Sequence, residues 1–241
     1  MAPELILAPV IVFVASVVEA AFGFGGGITA IPLLSLMIGL HDSVTLFLVF
    51  QFFKGSLLIP GWRHVAWGKI RLVMLALPFG VALGMLCLTL IDARWLEFLL
   101  GIYLLLYVAA DLLKLKGVTF RPPALHQLFM GAGGGFIQGI IGTGGPFLVT
   151  YVRGLNLGKD GFRFTIVALL FIANAIRLVL TTSAGLFNHH VLVLLAACLP
   201  AYGFALVAGY RLPKFLTHRQ FSLIINILLV MSGIALLSKV H

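Results

Sequence analysis

The chain has 241 residues, of which 61% are hydrophobic and only 10% are charged, and its mean hydropathy is +1.16. Ordinary globular domains carry about 25% charged residues, so this composition excludes a water-soluble globular protein and indicates one that lies in lipid. The net charge of +9 does not indicate nucleic-acid binding, because the basic residues occupy short joints between apolar runs.

Apolar runs fill the sequence from Leu5 to Leu237, and several reach the roughly 20 residues that a helix needs to cross a bilayer. The first run, Leu5 to Phe22, lacks the basic start and cleavage site of a signal peptide, so we expect it to be a retained membrane helix. The second run, 28–40, is too short for a comfortable span and follows a glycine cluster. We predict an all-α polytopic membrane protein with discontinuous helices and about 8–10 membrane segments.

An internal duplication relates the two glycine clusters of the chain. The segment Glu19–Gly27 aligns with Gln138–Pro146 and keeps three glycines in register, and similar apolar elements follow each segment in the same order. The sequence therefore predicts two repeats, residues 1–117 and 118–241, within one integral membrane domain. Their junction is placed at Lys114 to Pro123.

Charge bias among the joints predicts how the repeats are oriented. The basic joints are Arg63–Arg71, Lys114–Arg121, Arg153–Arg163 and Arg211–Arg219, whereas those at His41, Asp92–Arg94 and Asn188–His190 carry little positive charge. Basic joints belong in the cytoplasm. The joint after the third element is basic in the first repeat and uncharged in the second, so we predict an inverted-topology repeat. Secondary transporters commonly have this design, with a binding site near the bilayer midplane.

Each glycine cluster is predicted to break a membrane helix and to form part of a binding site. The candidate residues are Gly25, Gly26 and Gly27 in the first repeat and Thr143, Gly144 and Gly145 in the second. Unpaired backbone groups in hydrocarbon cost several kcal/mol each, so the breaks must face a cavity or neighbouring protein. Glycine opens the backbone N–H groups to a ligand, and the following half-helix presents a positive end that suits an anion. The alternative is that these glycines only permit close helix packing.

Two cations within apolar runs are the most informative side chains, because ionisable residues in membrane spans are rare and costly. Lys54 follows Gln51 by three residues, and Arg177 follows Asn174 by three residues, so each amide shares a helix face with its cation. Both pairs, pointing between the glycine breaks, would supply donors and positive charge to a small oxyanion. The alternative is that one cation, more readily Lys54, extends to the membrane interface.

Several other polar residues have two interpretations. Glu19 and Gln138 precede the breaks at matching positions, where each is expected to hydrogen-bond exposed backbone or to contribute to binding. Glu19 is also the candidate for proton coupling. The hydroxyls of Thr143 and Thr150 suit substrate or, more commonly, a helical carbonyl. The adjacent His189 and His190 have no acidic neighbour in sequence and are interpreted as interfacial.

The segments Phe22–Leu34 and Gly139–Phe147 resemble the TauE/SafE family of membrane permeases, also called the sulfite exporter or TSUP family. The resemblance covers both repeats and depends on the duplicated glycine motif with a proline nearby. It implies movement of sulfur-containing or organic anions, such as sulfite and sulfonates, across the cytoplasmic membrane, often as export. Lys54 departs from the family pattern, which would fit a different anion.

We therefore predict a secondary transporter in the cell inner membrane that exports a small sulfur-containing or organic anion by alternating access. A passive anion channel is the alternative, since broken helices and positive linings serve it equally well. An enzyme is disfavoured, because no dyad or zinc motif has the necessary spacing. No cofactor or metal is expected. The expected partners are the anion, the bilayer and a coupling proton, and a homodimer is left open, as is whether 28–40 and 147–157 span or re-enter.

Overall fold

The computed structural model describes residues 3–22, 25–57, 59–112, 124–211 and 218–238. Within these ranges it contains ten α-helices, one short 3₁₀ helix and no β-strand, which confirms the all-α prediction. The helices are α1 Glu4–Phe22, α2 Gly26–Ile38, α3 Leu40–Leu57, α4 Trp67–Leu90, α5 Ala93–Leu112, α6 Ala124–Ile141, α7 Gly145–Gly154, α8 Lys159–Ser183, α9 His189–Arg211 and α10 His218–Ser238. The 3₁₀ helix Ile59–His64 lies between α3 and α4.

Three of the described helices, α4, α8 and the part of α9 up to Gly209, are long and apolar enough to cross a membrane by length and composition. The helix limits agree closely with the apolar runs of the sequence. α2 and α7 begin at Gly26 and Gly145, two residues before the runs 28–40 and 147–157, and they end two and three residues before those runs end. Glycine and Pro146 fit the first helical turn, where intrahelical N–H bonds are not required.

Both predicted helix breaks are present. Between α6 and α7, Gly142 has φ 65°, and between α1 and α2, Gly25 has φ 100°. These left-handed conformations are strained for residues with a side chain, so glycine is what allows the chain to leave the helical path there. Gly23, the first glycine of the aligned motif, lies outside the described residues, as does the whole of the predicted junction 114–123.

The chain forms two compact units, and each unit takes helices from both predicted repeats. The first unit comprises Met1–Phe50, Ile91–Lys114 and Gly185–His241, and the second comprises Gln51–Leu90 and Leu115–Ala184. The first therefore holds α1, α2, most of α3, α5, α9 and α10. The second holds the last turns of α3 together with α4, α6, α7 and α8.

In the first unit, α1 packs along α9, and the two helices run in the same direction. His190 near the start of α9 contacts Glu4 at the start of α1. Toward the other ends of the two helices, a Cβ atom at Gly209 would meet Ala20 and the backbone of Val17. The absence of a side chain at Gly209 thus allows the close approach that holds these two helices together.

In the second unit, α6 packs along α4, and these two helices also run in the same direction. Glycines of α6 approach backbone atoms of α4 in ascending order along both helices: Gly131 meets Val73, Gly135 meets Leu77, and Gly139 meets Val81. A side chain at any of these glycines would overlap main-chain atoms that cannot rotate away. These glycines are therefore packing residues, as small residues between membrane helices commonly are.

The short helices α2 and α7 do not cross the bilayer. With 13 and 10 residues, they extend about 20 Å and about 15 Å, against a hydrocarbon core of about 30 Å. Asp42, in the first turn of α3, and Glu4 both contact His190, so α1 and α2 together return the chain to the end where α1 began. The pair α1–α2 is therefore a re-entrant hairpin.

The pair α6–α7 has the same form. The hydroxyl of Tyr151 in α7 donates to the carbonyl oxygen of Lys69 at 2.6 Å. Lys69 lies in the first turn of α4, next to which the parallel helix α6 also begins. The chain thus goes out along α6, breaks near Gly142 and comes back along α7. This answers the question that the sequence left open for 147–157.

Candidate functional site

Three buried amide side chains, Gln51, Gln138 and Asn174, meet at the break in the second unit, and we call them the amide cluster. Gln138 Nε2 donates to Asn174 Oδ1 at 2.7 Å and lies 3.5 Å from Gln51 Oε1. Each amide comes from a different helix, α3, α6 or α8. Gln138 therefore joins the amides that the sequence had assigned to the two separate repeats.

The amide cluster satisfies the backbone groups that the break exposes. Gln138 Oε1 accepts the Gly144 N–H at 2.7 Å, and Gln51 Nε2 donates to the Gly142 carbonyl oxygen at 3.2 Å. Unpaired backbone groups cost several kcal/mol each in hydrocarbon, so these hydrogen bonds stabilise the break in the helix. The hydrogen bond that was expected between Gln138 and exposed backbone is thus present.

Gly144 lies against the first arm of its own hairpin. Its N–H is already bound by Gln138, and a Cβ atom there would meet the carbonyl oxygen of Gly134 and the Gln138 side chain. The glycine is needed here because the two arms of the hairpin touch. Thr143 and Gly145 are buried on either side of it.

Arg177 is the most unusual side chain in the second unit. It lies one turn after Asn174 on the buried face of α8 and is only 1% exposed. Its Nε and Nη1 atoms have no hydrogen-bond partner among the described residues. A guanidinium keeps its charge in proteins and offers five N–H donors, so a buried one with unused donors is strongly destabilising unless an anion binds it.

Lys54 lies in the last turn of α3, one turn after Gln51. It is 5% exposed and has an interaction partner. This burial disfavours the alternative in which Lys54 extends to the membrane interface, since such a side chain would keep its ammonium group in water. Gln51, Lys54, Asn174 and Arg177 all belong to the second unit, together with Thr143, Gly144 and Gly145.

The break in the first unit has a carboxylate where the second has an amide. Glu19 is buried, and a Cβ atom added to Gly26 would overlap its carboxylate. Thr29 returns both its N–H and its hydroxyl to the Gly25 carbonyl oxygen, at 3.2 and 3.1 Å. Gly27 is buried in the first turn of α2. Of the predicted site residues, Gly25, Gly26, Gly27 and Glu19 thus form a group of their own.

Comparison with known proteins identifies the family. The model of the family described as sulfite exporter TauE/SafE matches residues 8–236. The chain belongs to the TauE/SafE family. It is 24% identical over 178 residues to a Comamonas testosteroni protein described as probable inner membrane transporter protein TsaS, a match that covers 73% of this chain and 74% of that protein. No solved structure matches it.

Membership in the TauE/SafE family confirms the resemblance carried by the glycine motifs and makes this chain an integral transporter of the inner membrane. Sequence reasoning found the glycines, the amides and Arg177 but missed how Gln138 joins the two amides of this TauE/SafE protein. The signal was its alignment with Glu19. Sequence reasoning also missed the contacts of His190 with Glu4 and Asp42, because both acidic residues are distant from it in sequence.

Proposed function

We propose that this TauE/SafE protein is a secondary transporter that exports a small sulfur-containing or organic anion, such as sulfite or a sulfonate, by alternating access. The observation that carries the proposal is Arg177, a fully buried guanidinium with unused donors on Nε and Nη1. A buried charge of this kind requires a counter-charge, and an anion that comes and goes with the transport cycle supplies it.

The chemistry of Arg177 favours an oxyanion. The planar guanidinium presents parallel N–H donors that match two oxygens of one ligand, and sulfite and sulfonates each offer three oxygens. Asn174, a member of the amide cluster, precedes Arg177 by one turn on the same buried face of α8. An anion bound at Arg177 would therefore lie about one helical turn from the side chains that hold the α6–α7 break.

The packing of the helices supports the proposed duplication. If α6 to α10 repeat α1 to α5, then α1 corresponds to α6 and α4 corresponds to α9. The contact of α1 with α9 and the contact of α6 with α4 are then the same contact made twice, and both are parallel. Each also pairs a re-entrant hairpin from one repeat with a long helix from the other. Inverted repeats of this kind serve alternating access in other secondary transporters.

Glu19 is the proposed residue for proton coupling. It is a buried carboxylate against the first glycine of α2, at the position that Gln138 occupies in the other hairpin. A carboxylate buried beside a helix break can exchange its proton as the cavity around it changes, whereas an amide cannot. Coupling of anion export to a proton gradient would follow from this difference between the two hairpins.

The comparisons point to the same substrate class. The description of the family names sulfite export, and the relative is described as an inner membrane transporter. Neither selects among sulfite, sulfonates and other small oxyanions for this chain. The buried position of Lys54, a second cation in the unit that holds Arg177, is consistent with an anion of higher charge or different shape.

The decisive experiment is flux in proteoliposomes that contain the purified full-length protein. We expect radiolabelled sulfite to accumulate against its own gradient when a proton gradient is imposed, with a saturable rate and competition by methanesulfonate but weaker competition by acetate. Strictly downhill, unsaturable flux would instead indicate a channel. No flux of any of these anions, in vesicles where the protein is shown to be folded, would contradict the proposal.

A thermal-shift screen with the same anions tests binding without transport. A ligand present at about 100 times its Kd stabilises the folded state by about 2.7 kcal/mol, which is easily measured. We expect sulfite or a sulfonate to raise the melting temperature more than chloride at equal ionic strength.

A further inference from the structure

At the end of the first unit where α1, α3 and α9 begin, one imidazole lies between two carboxylates. His190 Nδ1 is 2.9 Å from Asp42 Oδ2, and His190 Nε2 is 3.0 Å from Glu4 Oε2. In sequence, His190 is 148 positions from Asp42 and 186 positions from Glu4. None of them belongs to the glycine breaks or to the amide cluster.

Asn188 fixes the geometry of this group. Its side-chain nitrogen donates to Asp42 Oδ1 at 2.9 Å, and its side-chain oxygen accepts the Val191 N–H at 2.8 Å. The second bond caps the N-terminus of α9. Both oxygens of Asp42 are therefore engaged, one with Asn188 and one with His190, so the carboxylate is held in place in front of the ring.

With both carboxylates ionised, both contacts are hydrogen bonds only when the ring carries two protons. An ionised carboxylate only accepts hydrogen bonds, so each ring nitrogen that faces one must carry a hydrogen. Only the imidazolium has hydrogens on both nitrogens. In the neutral ring, one nitrogen would turn a lone pair toward a carboxylate. The group of three residues would then keep one hydrogen bond and lose the other.

The charge on His190 depends on these two carboxylates. The three helices all begin here, and their positive ends favour acidic side chains but disfavour a cation. Other titratable groups nearby are His41, next to Asp42 on α3, and His189, next to His190 on α9. On α1 the next acidic residue is Glu19, about 22 Å further along the helix. Glu4 and Asp42 are thus the groups that stabilise the proton on the His190 ring.

We propose that Glu4, Asp42 and His190 form a proton-binding site that ties the first turns of α1, α3 and α9 together when the proton is bound. The side chains are 33%, 21% and 45% exposed, so the proton exchanges with water. The joints at this end of the helices carry little positive charge, so the positive-inside rule places the site on the non-cytoplasmic side of the membrane. The proposal does not depend on which anion is transported.

The functional consequence follows from what α1 carries. α1 is the first arm of the hairpin that contains Glu19 and the first glycine break, and it packs along α9. When the proton leaves, Glu4 and Asp42 remain as two carboxylates around a neutral ring, and one of the two hydrogen bonds that link the three helix ends is lost. Acidification outside the membrane would therefore hold this hairpin in place, and alkaline conditions would release it.

The direct test is the protonation state of the ring, measured by ¹⁵N NMR on histidine-labelled full-length protein in detergent micelles. The His190 signals are identified by their loss in the variant His190→Gln. At neutral pH we expect both ring nitrogens of His190 to be protonated, and we expect a neutral ring in the variant with Glu4→Gln and Asp42→Asn together. A neutral His190 ring in the unmodified protein would overturn the proposal, as would a ring charge unaffected by removing both carboxylates.

Thermal unfolding gives an independent readout. A proton bound more tightly by the folded state stabilises that state at low pH, and this contribution is lost as the pH rises. As the pH rises above about 6.5, the unperturbed pKa of histidine, we expect the melting temperature to fall less in His190→Gln than in the unmodified protein. His189→Gln, which removes the exposed neighbouring histidine, is the matched control and should retain the full pH dependence. Equal pH dependence in all three proteins would contradict a proton site at His190.

Discussion

The two hairpins carry the same glycine motif for different physical reasons. In the first, Gly25 has φ 100°, yet a Cβ atom there would make only an ordinary contact with Val18 at 3.5 Å. In the second, Gly144 has φ −64°, a conformation open to any residue, but a Cβ atom would overlap the backbone of Gly134. One glycine is required by its backbone conformation and the other by lack of space.

The polar side chains at the two breaks differ as well. The side chain that lies against Gly26 is the carboxylate of Glu19. The side chain that binds the Gly144 N–H is the neutral amide of Gln138, which also contacts the other two members of the amide cluster. A carboxylate can gain and lose a proton, and an amide cannot. The comparison teaches that a duplicated sequence motif preserves the break in the helix while its chemistry diverges, with the neutral cluster located in the unit that holds Arg177.

Replacing Gly144 by alanine is expected to have the largest effect. The new methyl group would overlap the carbonyl oxygen of Gly134, which cannot move without opening the hairpin, so we expect loss of the folded monodisperse protein in size-exclusion chromatography. The corresponding Gly25→Ala should fold and lose only about 1–2 kcal/mol, because the strain is confined to one φ angle. Gly203→Ala, where the methyl group meets nothing, is the control. Equal tolerance at Gly144 and Gly25 would contradict the distinction.

Replacing Arg177 by glutamine is expected to separate binding from folding. Loss of a buried charge partner costs about 2 kcal/mol or more, so the affinity for the anion should fall by roughly 30-fold or more. Without the anion, the variant should be at least as stable as the unmodified protein, because an uncompensated buried charge has been removed. Melting temperatures with and without sulfite measure both effects. Arg71→Gln, which removes an exposed cation of the same unit, should change neither.

A protein with Arg177→Gln that binds sulfite normally would remove this residue from the site. A variant that is strongly destabilised without any anion would show that Arg177 has a structural partner. The two outcomes distinguish a binding role from a folding role, which the transport rate alone would not do.

Exchanging the charge at the two equivalent positions should have an intermediate effect. Gln138→Glu keeps an oxygen for the Gly144 N–H but turns a second oxygen toward Asn174 Oδ1, so we expect a loss of about 1–3 kcal/mol. Glu19→Gln should leave folding nearly unchanged and make anion flux independent of the proton gradient. Chemical denaturation and proteoliposome flux measure the two effects. Retained proton coupling in Glu19→Gln would assign the coupling to another group.

Local properties of the sequence predicted much of this fold. Helix limits follow from continuous apolar runs, and the break between α6 and α7 follows from glycines followed by Pro146, so both could be deduced from neighbouring residues. The side-chain partners could not. Gln138 meets Asn174 across 36 positions, and His190 meets Glu4 across 186 positions, and such contacts depend on how the helices pack. The composition of the compact units was unpredictable for the same reason.

The burial of Arg177 shows where sequence reasoning succeeded without knowledge of packing. A cation in the middle of an apolar run must be buried whichever helix it contacts, because the cost of burial does not depend on the identity of the neighbours. The same argument selected Lys54, which is also buried. The argument from burial could not predict which of the two cations has a partner. In the structure, the Nε and Nη1 donors of Arg177 are left unused by the described residues.

The smallest effect is expected at the two threonines that hydrogen-bond helix carbonyls near the breaks. Thr150 donates its hydroxyl to the Pro146 carbonyl oxygen at 2.9 Å on an exposed face, so Thr150→Val should change stability by about 0.5 kcal/mol or less and leave transport unchanged. Thr29 is buried, and its hydroxyl shares the Gly25 carbonyl with its own N–H. Thr29→Val should therefore cost more, about 1 kcal/mol, because a buried hydrogen bond is lost while the carbonyl stays paired. A larger loss of transport in Thr150→Val than in Thr29→Val would place the exposed hydroxyl on the path of the anion and favour a substrate role for Thr150 over its bond to the helical carbonyl.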